Sequence, residues 1–348
     1  MKKDAIDIIV KKVNSGFLNI KECVCTPQKY KNTRGIDLFG YSPENLSKAA
    51  LYYFDHCNKF EFDKAEKILE QIKVSIAIEE LIFMLEKAIF GNVNKIDFLQ
   101  KKNTDEIILE LYSRFSGQAK EEIKKLLDKE LEIYTDTWST VVQDEDNVTI
   151  EQLVNFYNKI PFPIGCLLGA CERNKLSIAY RALPILLAKD NNRKRIFDFG
   201  GNSGMITSAI ANNVDFCMLI EENNNLMEFA KWRDDLFGIK NVLYVKESTI
   251  SESIHEFSGK FDMGICTEVL EHVFDVEETV SNISQLLEKG GLLYQTTSFG
   301  LYPEPSHLKK NIKFAGHEDE LMARYGLERI NVNFPIPLLS TVKVYIKK

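Results

Sequence analysis

Between Ser42 and Lys129, apolar residues recur at i, i+3, i+4 and i+7 in "SPENLSKAALYYF", "FDKAEKILEQIKV", "IAIEELIFMLEKAIFG" and "EEIKKLLDKELEIY". That is the spacing of one helical face turned toward a core. Ser42 before Pro43 is a start signal, because a hydroxyl can cap the first turn and Pro loses no hydrogen bond there; Gly91 is a stop. The pattern predicts amphipathic helices packed as a bundle, and no unit returns at a fixed period. Past the polar run "QDEDN" at 143–147 comes one more helical stretch, "TIEQLVNFYNKI", and then Pro161 and Pro163. From Arg195 the texture changes. Short β-branched runs at 195–199, 216–220, 242–245, 263–266 and 292–296 alternate with helical stretches, which predicts βαβ units and a parallel sheet with helices on both faces. "LERINVNFPI" and "TVKVYIKK" add two strands, expected to run antiparallel at one edge. The expected fold class is therefore α/β: a doubly wound, mostly parallel seven-stranded Rossmann-like sheet preceded by an all-α N-terminal domain. The boundary is placed at residue 150, giving a helical domain over 1–150 and the sheet domain over 151–348.

Composition narrows this picture only in part. A chain of 348 residues, 45% hydrophobic and 27% charged, suits a soluble protein of two domains with a real core. With 44 Lys and Arg against 51 Asp and Glu, the net charge of −7 counts against a surface built to coat phosphate backbones, so nucleic acid is not expected as a partner. "MKKDAIDIIVKKVNSG" lacks the apolar centre of a signal peptide, and no run of about 18 apolar residues offers a membrane span. A cytoplasmic location without membrane attachment is expected. Of the seven cysteines, Cys166, Cys171, Cys217 and Cys266 sit among apolar neighbours, as buried thiols of a reducing compartment do. Cys23 and Cys25 form a C-x-C pair with no second pair at metal-ligand spacing.

The candidate chemistry lies where the strands end. In a doubly wound sheet, ligands sit at the carboxyl ends of the strands, and the first βα turn must let main chain approach the ligand closely. "RIFDFGGNSG" supplies such a turn with Gly200, Gly201 and Gly204, while Asn202 stands where an alternating glycine would be. Asn tolerates left-handed backbone better than most residues. Asp198, at the end of the first strand, can order the turn or meet a cationic ligand. Glu221 closes the second strand, beside Glu222, and a carboxylate there can accept hydrogen bonds from both hydroxyls of a ribose. Beyond the third strand, either Glu247 or Ser248 stands where an exocyclic amine would be read. After the fourth strand, "TEVLEHVFDVEE" (267–278) is read as opening a helix. Glu268, Glu271 and His272, at i, i+3 and i+4, would then share one face. Such a group can hold a divalent cation, or be no more than the acidic start of a helix. "EPSHLKKNIKF" offers a further imidazole, His307, and His317 falls where a helix cap is expected.

In order and spacing, "RIFDFGGNSG", "CMLIEENNNLMEFAKW", "KFDMGICTEVLEHV" and "LLEKGGLLYQTTSF" resemble the class I S-adenosylmethionine-dependent methyltransferases from residue 195 to 299. "DFGGNSG" resembles the glycine turn of that family's small-molecule branch, with Ala230 nine positions after the ribose acid and "KGGLL" before the fifth strand. The resemblance implies S-adenosylmethionine as cofactor, held by Asp198, Gly200, Gly201, Asn202, Gly204, Glu221, Glu222, Glu247, Ser248 and Thr267. E-x-x-E-H resembles two metal-dependent branches, the O-methyltransferases of ubiquinone biosynthesis and the small-RNA 2′-O-methyltransferases. Both use a further downstream His, which implies Mg²⁺ or another divalent metal on Glu268, Glu271, His272 and His307. Without a metal, the resemblance implies His272 or His307 as general base. The small-molecule branch also implies a homodimer through the N-terminal helices. Tyr157 and Phe162 are available to stack in a lid over the cofactor or else are core aromatics at the domain junction, and Phe299 and Tyr302, after the fifth strand, are placed to touch a substrate. The expected activity is O-methylation of a small-molecule metabolite. Alternatives are C-methylation of an enolisable 2-oxo acid, RNA 2′-O-methylation, and a cofactor-binding pseudoenzyme whose helical half is a docking module.

Overall fold

The computed structural model describes residues 77–78, 80–85, 87–88, 96–100, 104–165, 175–299, 305–336 and 341–348. The helices expected before residue 77, the Cys23 and Cys25 pair, Cys166, Cys171 and Tyr302 lie outside the described residues. By its contacts the chain divides into two compact units, Met1–Phe83 with Phe334–Pro337 and Met84–Asn333 with Leu338–Lys348. In the first unit, residues 77–78 and 80–83 are helical. The second unit holds the sheet.

Its order is α1 Thr104–Ser116, α2 Lys120–Asp128, α3 Glu130–Val141, α4 Ile150–Lys159, α5 Lys175–Asp190, β1 Arg195–Phe199, α6 Met205–Ala211, β2 Phe216–Ile220, α7 Asn224–Phe237, β3 Val242–Val245, α8 Ile250–Phe257, β4 Phe261–Thr267, α9 Val276–Leu286, β5 Leu287–Thr296, α10 Glu318–Arg324, β6 Leu327–Ile330 and β7 Val342–Lys347. The stretch "EEIKKLLDKELEIY" makes two helices where its periodicity suggests one, because Lys129 leaves helical geometry (φ −109°) and ends α2. A helix over "TIEQLVNFYNK" begins as its sequence predicts. Thr149 Oγ1 accepts from the Gln152 N–H (3.2 Å) while Gln152 Oε1 accepts from the Thr149 N–H (2.9 Å), the reciprocal cap of T-x-x-Q. The α3–α4 hairpin has its own core of Trp138, Val141, Leu153, Phe156 and Ile160, and Leu308 from beyond β5 joins it.

All seven expected strands form one sheet in the order β3-β2-β1-β4-β5-β7-β6, with the first five parallel and β7 antiparallel to both β5 and β6. The parallel strands are near-continuous apolar runs because both faces are covered. On one face Phe197, Phe199, Met218, Ile220, Cys266 and Leu293 pack with Ile250 and Ile254 of α8 and Val276, Val280 and Ile283 of α9. On the other, Tyr294 donates its hydroxyl to the Tyr180 carbonyl of α5 (3.1 Å). The order reverses between β1 and β4, the switch point where ligands bind in such sheets. Strand β5 starts five residues before its β-branched run, and Gly290 (φ +83°) lies inside it, near an irregularity in its pairing with β4.

One expected element is absent. "EVLEHVFD" is not helical: Glu268 to Asp275 make an irregular turn, and α9 starts at Val276 with Asp275 as its cap, accepting from the Glu278 N–H (3.0 Å). The helical spacing of Glu268, Glu271 and His272 is therefore not what brings them together.

Candidate active site

The turn after β1 is hung on β2. The Ile220 carbonyl accepts from the N–H groups of Gly200 (2.9 Å) and Gly201 (3.2 Å). Glu221 then accepts from Asn202 N–H on Oε2 (2.8 Å) and from Asn223 N–H on Oε1 (2.9 Å), so one carboxylate fastens the turns after both strands. Asn202 has φ +54°, and its side chain steadies this conformation by accepting from the Ser203 N–H (2.6 Å). A Cβ on Gly201 would come within 2.7 Å of the Asp198 carboxylate carbon and 2.3 Å of Leu219, so close packing inside the protein demands this glycine. Behind the turn, fully buried Arg233 of α7 donates to the carbonyls of Ser203 (2.8 Å) and Gly204 (3.0 Å) and to Ser208 Oγ. Asp234 balances its charge (3.2 Å) and accepts from Tyr244 (2.7 Å).

The turn after β4 is fastened from far along the chain. Glu268 is left-handed (φ +52°), and its N–H donates to Thr296 O (2.9 Å) and Oγ1 (3.2 Å). Glu271 is 1% exposed and accepts from Thr297 Oγ1 (2.9 Å), Ser298 N–H (2.9 Å) and Ser298 Oγ (2.8 Å); the same Ser298 hydroxyl lies 2.9 Å from Glu268 Oε2. Buried Asn311 donates to the carbonyls of Leu270 (3.3 Å), Glu271 (3.3 Å) and Val273 (2.8 Å). His272 stands edge-on to His307, ring centroids 4.7 Å apart. Its Nδ1 is 3.1 Å from the Ser306 carbonyl and 2.9 Å from Ser306 Oγ. Ser306 Oγ is 2.6 Å from the Tyr134 hydroxyl of α3.

Both turns border one cavity of about 760 Å³. Of the expected site residues, Gly200, Asn202, Glu221, Glu222, Glu247, Ser248, Glu268 and His272 line it. Asp198, Gly201, Gly204, Thr267, Glu271 and His307 do not; they stand behind the lining or beside it. Tyr157 also lines the cavity, with Tyr134, Leu153, Ile160 and Val269, and the exposed apolar side chains of Leu131, Ile150 and Phe274. Phe162 takes the packing alternative, half-buried against Tyr112, Phe115 and Phe229, and Phe299, expected at a substrate, is a core residue buried against Phe314. His317 caps α10 and pairs with Glu320 (3.2 Å) on the surface.

The electrostatics follow from carboxylates held away from water. Burial pushes the Asp198 carboxyl up to about 7 against the pull of the Thr207 hydroxyl, which bonds Oδ2 (2.7 Å). Burial, with the charges of Glu221 and Glu222, pushes Glu247 up to about 8. Glu221 is raised by burial despite its two backbone donors. Glu268 opens onto the cavity but has protein on most sides, and it is raised by burial first and by the charge of Glu271 second. Tyr157 is also raised by burial.

The residues present fit both groups the sequence implies. In the first turn Asp198 Oδ1 and Ser203 Oγ are buried without a hydrogen-bond partner among the described residues, and Glu247, at the cavity wall, would lose its penalty to a ligand bringing N–H or O–H donors. At the second turn Glu271 and His272, with His307 from the segment after β5, each present a ligand atom within 4.8 Å of the others; Glu268, expected among the ligands, is not in this group. One carboxylate and two imidazoles suit a first-row transition metal better than Mg²⁺, which prefers oxygen. Tyr134, Ser298, Ser306, Arg233 and Asn311 are not foreseen from sequence. For Ser306 the only signal is that it precedes His307.

Residues 173–333 match a family model described as a methyltransferase domain. The chain is 30% identical over 104 residues to a ubiquinone biosynthesis O-methyltransferase of Saccharophagus degradans, and 29% identical over 104 residues to one of Escherichia coli. Those matches cover 30% of this chain and only 43% and 42% of the two relatives, so it spans less than half of their length. Among solved structures, a putative caffeoyl-CoA O-methyltransferase from Staphylococcus aureus aligns over 52% of this chain and 90% of its own, at 17% identity and a TM-score of 0.40. The N-methyltransferase NodS of Bradyrhizobium japonicum, solved with S-adenosyl-L-homocysteine, aligns over 61% and 98% at 14% identity and a TM-score of 0.37. Among the described residues no helix is long and apolar enough to cross a membrane. With its glycine turn, the carboxylate of Glu221 after β2 and its strand order in place, the stretch matched by the family model is a class I S-adenosylmethionine-dependent methyltransferase domain.

Proposed function

We propose that the cavity binds S-adenosylmethionine along the turn after β1 and methylates a hydroxyl of a small, uncharged or cationic metabolite at its His272 end. The observation that carries this is the continuity of the cavity, from Gly200, Glu221 and Glu247 at one end to Glu268 and His272 at the other. When bound, the cofactor supplies an electrophilic methyl group on a sulfonium. Glu221 and Glu247 accept from its hydroxyl and amine donors, and the main chain at Gly200 and Asn202 lies against it. The acceptor is walled by Tyr134, Tyr157 and the apolar side chains of the α3–α4 hairpin, which excludes water from the transfer. His272 would take the proton from the acceptor hydroxyl as that oxygen receives the methyl group and the sulfur keeps the electron pair of the broken carbon–sulfur bond. If a divalent metal serves instead, Glu271, His272 and His307 would hold it, His272 then being a ligand and not the base, and the metal would lower the acceptor's pKa. A helical domain over 1–150, a homodimer through it and a cytoplasmic location belong to the same reading.

The wall chemistry favours this reading over the alternatives. Among the described residues seven acidic side chains line the cavity and no lysine or arginine does. An RNA phosphate or a 2-oxo acid carboxylate would find no cation there to pair with. Titration calorimetry with S-adenosylmethionine, with and without EDTA, tests the cofactor step, and absence of binding sinks it. A panel of phenols and amino alcohols beside a 2-oxo acid and an RNA oligonucleotide tests the acceptor; preference for either anion overturns the substrate class. Transfer indifferent to chelator and to Glu271→Ala removes the metal.

A further inference from the structure

We propose that Ser306 and Tyr134 are positioning residues for His272: they hold its ring in the tautomer that leaves the lone pair on Nε2, and they tie that state to the seating of the α3–α4 hairpin. This rests on reading the His272 end of the cavity as the place of transfer. The three residues come from α3, from the turn after β4 and from the segment after β5, and nothing in their spacing announces them as a unit. A carbonyl oxygen can only accept, so the 3.1 Å approach of Nδ1 to Ser306 O requires the hydrogen to be on Nδ1. The opposite tautomer would set two lone pairs against each other there. The same N–H is 2.9 Å from Ser306 Oγ, which therefore accepts too and keeps its own hydrogen for another oxygen. Tyr134 Oη, at 2.6 Å, is in place to share it.

Ser306 is fully buried, so water does not stand in for either partner. Two residues on, Leu308 packs into the hairpin core beside Trp138 and Phe156, and its N–H donates to the Glu271 carbonyl (3.0 Å). The Ser306 segment is thus clamped to the hairpin on one side and to the His272 turn on the other. As a base or as a ligand, an imidazole with its hydrogen on Nδ1 acts through Nε2, so both chemistries need this arrangement.

The test uses the full chain labelled with ¹⁵N, with the His272 ring signals identified by their loss in His272→Gln. Long-range proton–nitrogen correlation should show the Nδ1–H tautomer in the parent protein and a mixture of tautomers or ring positions in Tyr134→Phe and Ser306→Ala. Ser306→Thr, which keeps the hydroxyl that Ser306→Ala removes, should restore the parent signals. Tyr134→Phe removes one oxygen and keeps the ring that packs on Phe156 (5.0 Å), so it should stay folded. In transfer assays kcat should fall about tenfold in each variant with KM for cofactor unchanged, and the double variant should be no worse than Ser306→Ala. A parent protein with the hydrogen on Nε2, or ring signals unmoved in both variants, overturns the proposal. The ring signals are read without substrate, so a failure to find transfer would count against the functional reading alone.

Discussion

The turns after β1 and β4 end adjacent central strands, and each carries one left-handed residue that is not glycine, Asn202 (φ +54°) and Glu268 (φ +52°). They are built differently. The β1 turn is held through main chain, with the Ile220 carbonyl and the Glu221 carboxylate gathering its N–H groups within about twenty residues. The β4 turn is held by side chains that return from Thr296, Ser298, Ser306 and Asn311. The first presents backbone to a ligand, and the second presents placed functional groups. They also touch: a Cβ on Gly200 would lie 2.4 Å from Val269 Cγ2. One turn is thus shaped for affinity and the other for chemistry, and Gly200 and Val269 meet between them.

Removing the imidazole should have the largest effect. If the division holds, His272→Ala lowers kcat by about 10³-fold, the middle of the range for a general base, and leaves cofactor affinity within about twofold. Equal losses in kcat and in calorimetric affinity would break the division between the turns. Gly200→Ala comes next. At φ +66° an added Cβ is strained, and it also meets the Val269 side chain. Both turns must shift, at a cost of about 2–3 kcal/mol. Cofactor affinity and kcat should fall together, by about 10–100-fold each. A loss confined to affinity would mean the contact with Val269 yields freely.

The same contrast decides what could be read from sequence. Gly200, Gly201, Asn202 and Gly204 encode their turn locally, and Glu221 ends an apolar run that can only be a buried strand, so the cofactor side was legible residue by residue. The β4 turn was not. Its E-x-x-E-H spacing satisfies a helical face, but helix formation is overridden by bonds from residues 26 to 41 positions away, such as Thr297 to Glu271 and Asn311 to Leu270. Periodicity contains no information about those partners. Glu271 and His272 were found because their chemistry is rare, and they converge with His307 through the fold rather than through a helix. Phe299 was misjudged for a related reason: a position just after β5 says where the chain is, not which way an aromatic ring turns.

A smaller effect concerns pH. Burial holds Asp198 at about 7 and Glu247 at about 8, so the folded protein keeps protons that an unfolded chain releases near pH 4 to 5. More protons on the folded state mean that stability falls as pH rises from there to about 8. Without cofactor, Tm should decline across that window. Glu247→Gln, which cannot ionise, should flatten the decline and raise Tm at pH 9 by about 2–4 °C, on the order of 1–2 kcal/mol. An unchanged slope in the variant would show that Glu247 is ionised and satisfied in the empty cavity, and would remove its readiness for a donor.

The smallest effects give the sharpest contrast, because the same backbone conformation is put to two uses. Left-handed geometry costs an ordinary residue about 1–2 kcal/mol and glycine almost nothing. At position 202 glycine relieves that strain but loses the bond from Ser203 N–H to Asn202 Oδ1 (2.6 Å), so Asn202→Gly should leave Tm within about a degree and cofactor affinity nearly unchanged. Asn202→Ala keeps the strain and loses the bond, and should cost about 1 kcal/mol. At position 268, Glu268→Gly should likewise be more stable than Glu268→Ala by about 1 kcal/mol, since only glycine accepts φ +52° freely. Yet both should lose kcat equally, because the carboxylate beside Ser298 and Glu271 is gone in each. Thermal melts and single-turnover rates on the four variants separate the cases. If Glu268→Gly keeps full activity, the second turn needs its backbone and not its carboxylate, and the contrast between the two turns disappears.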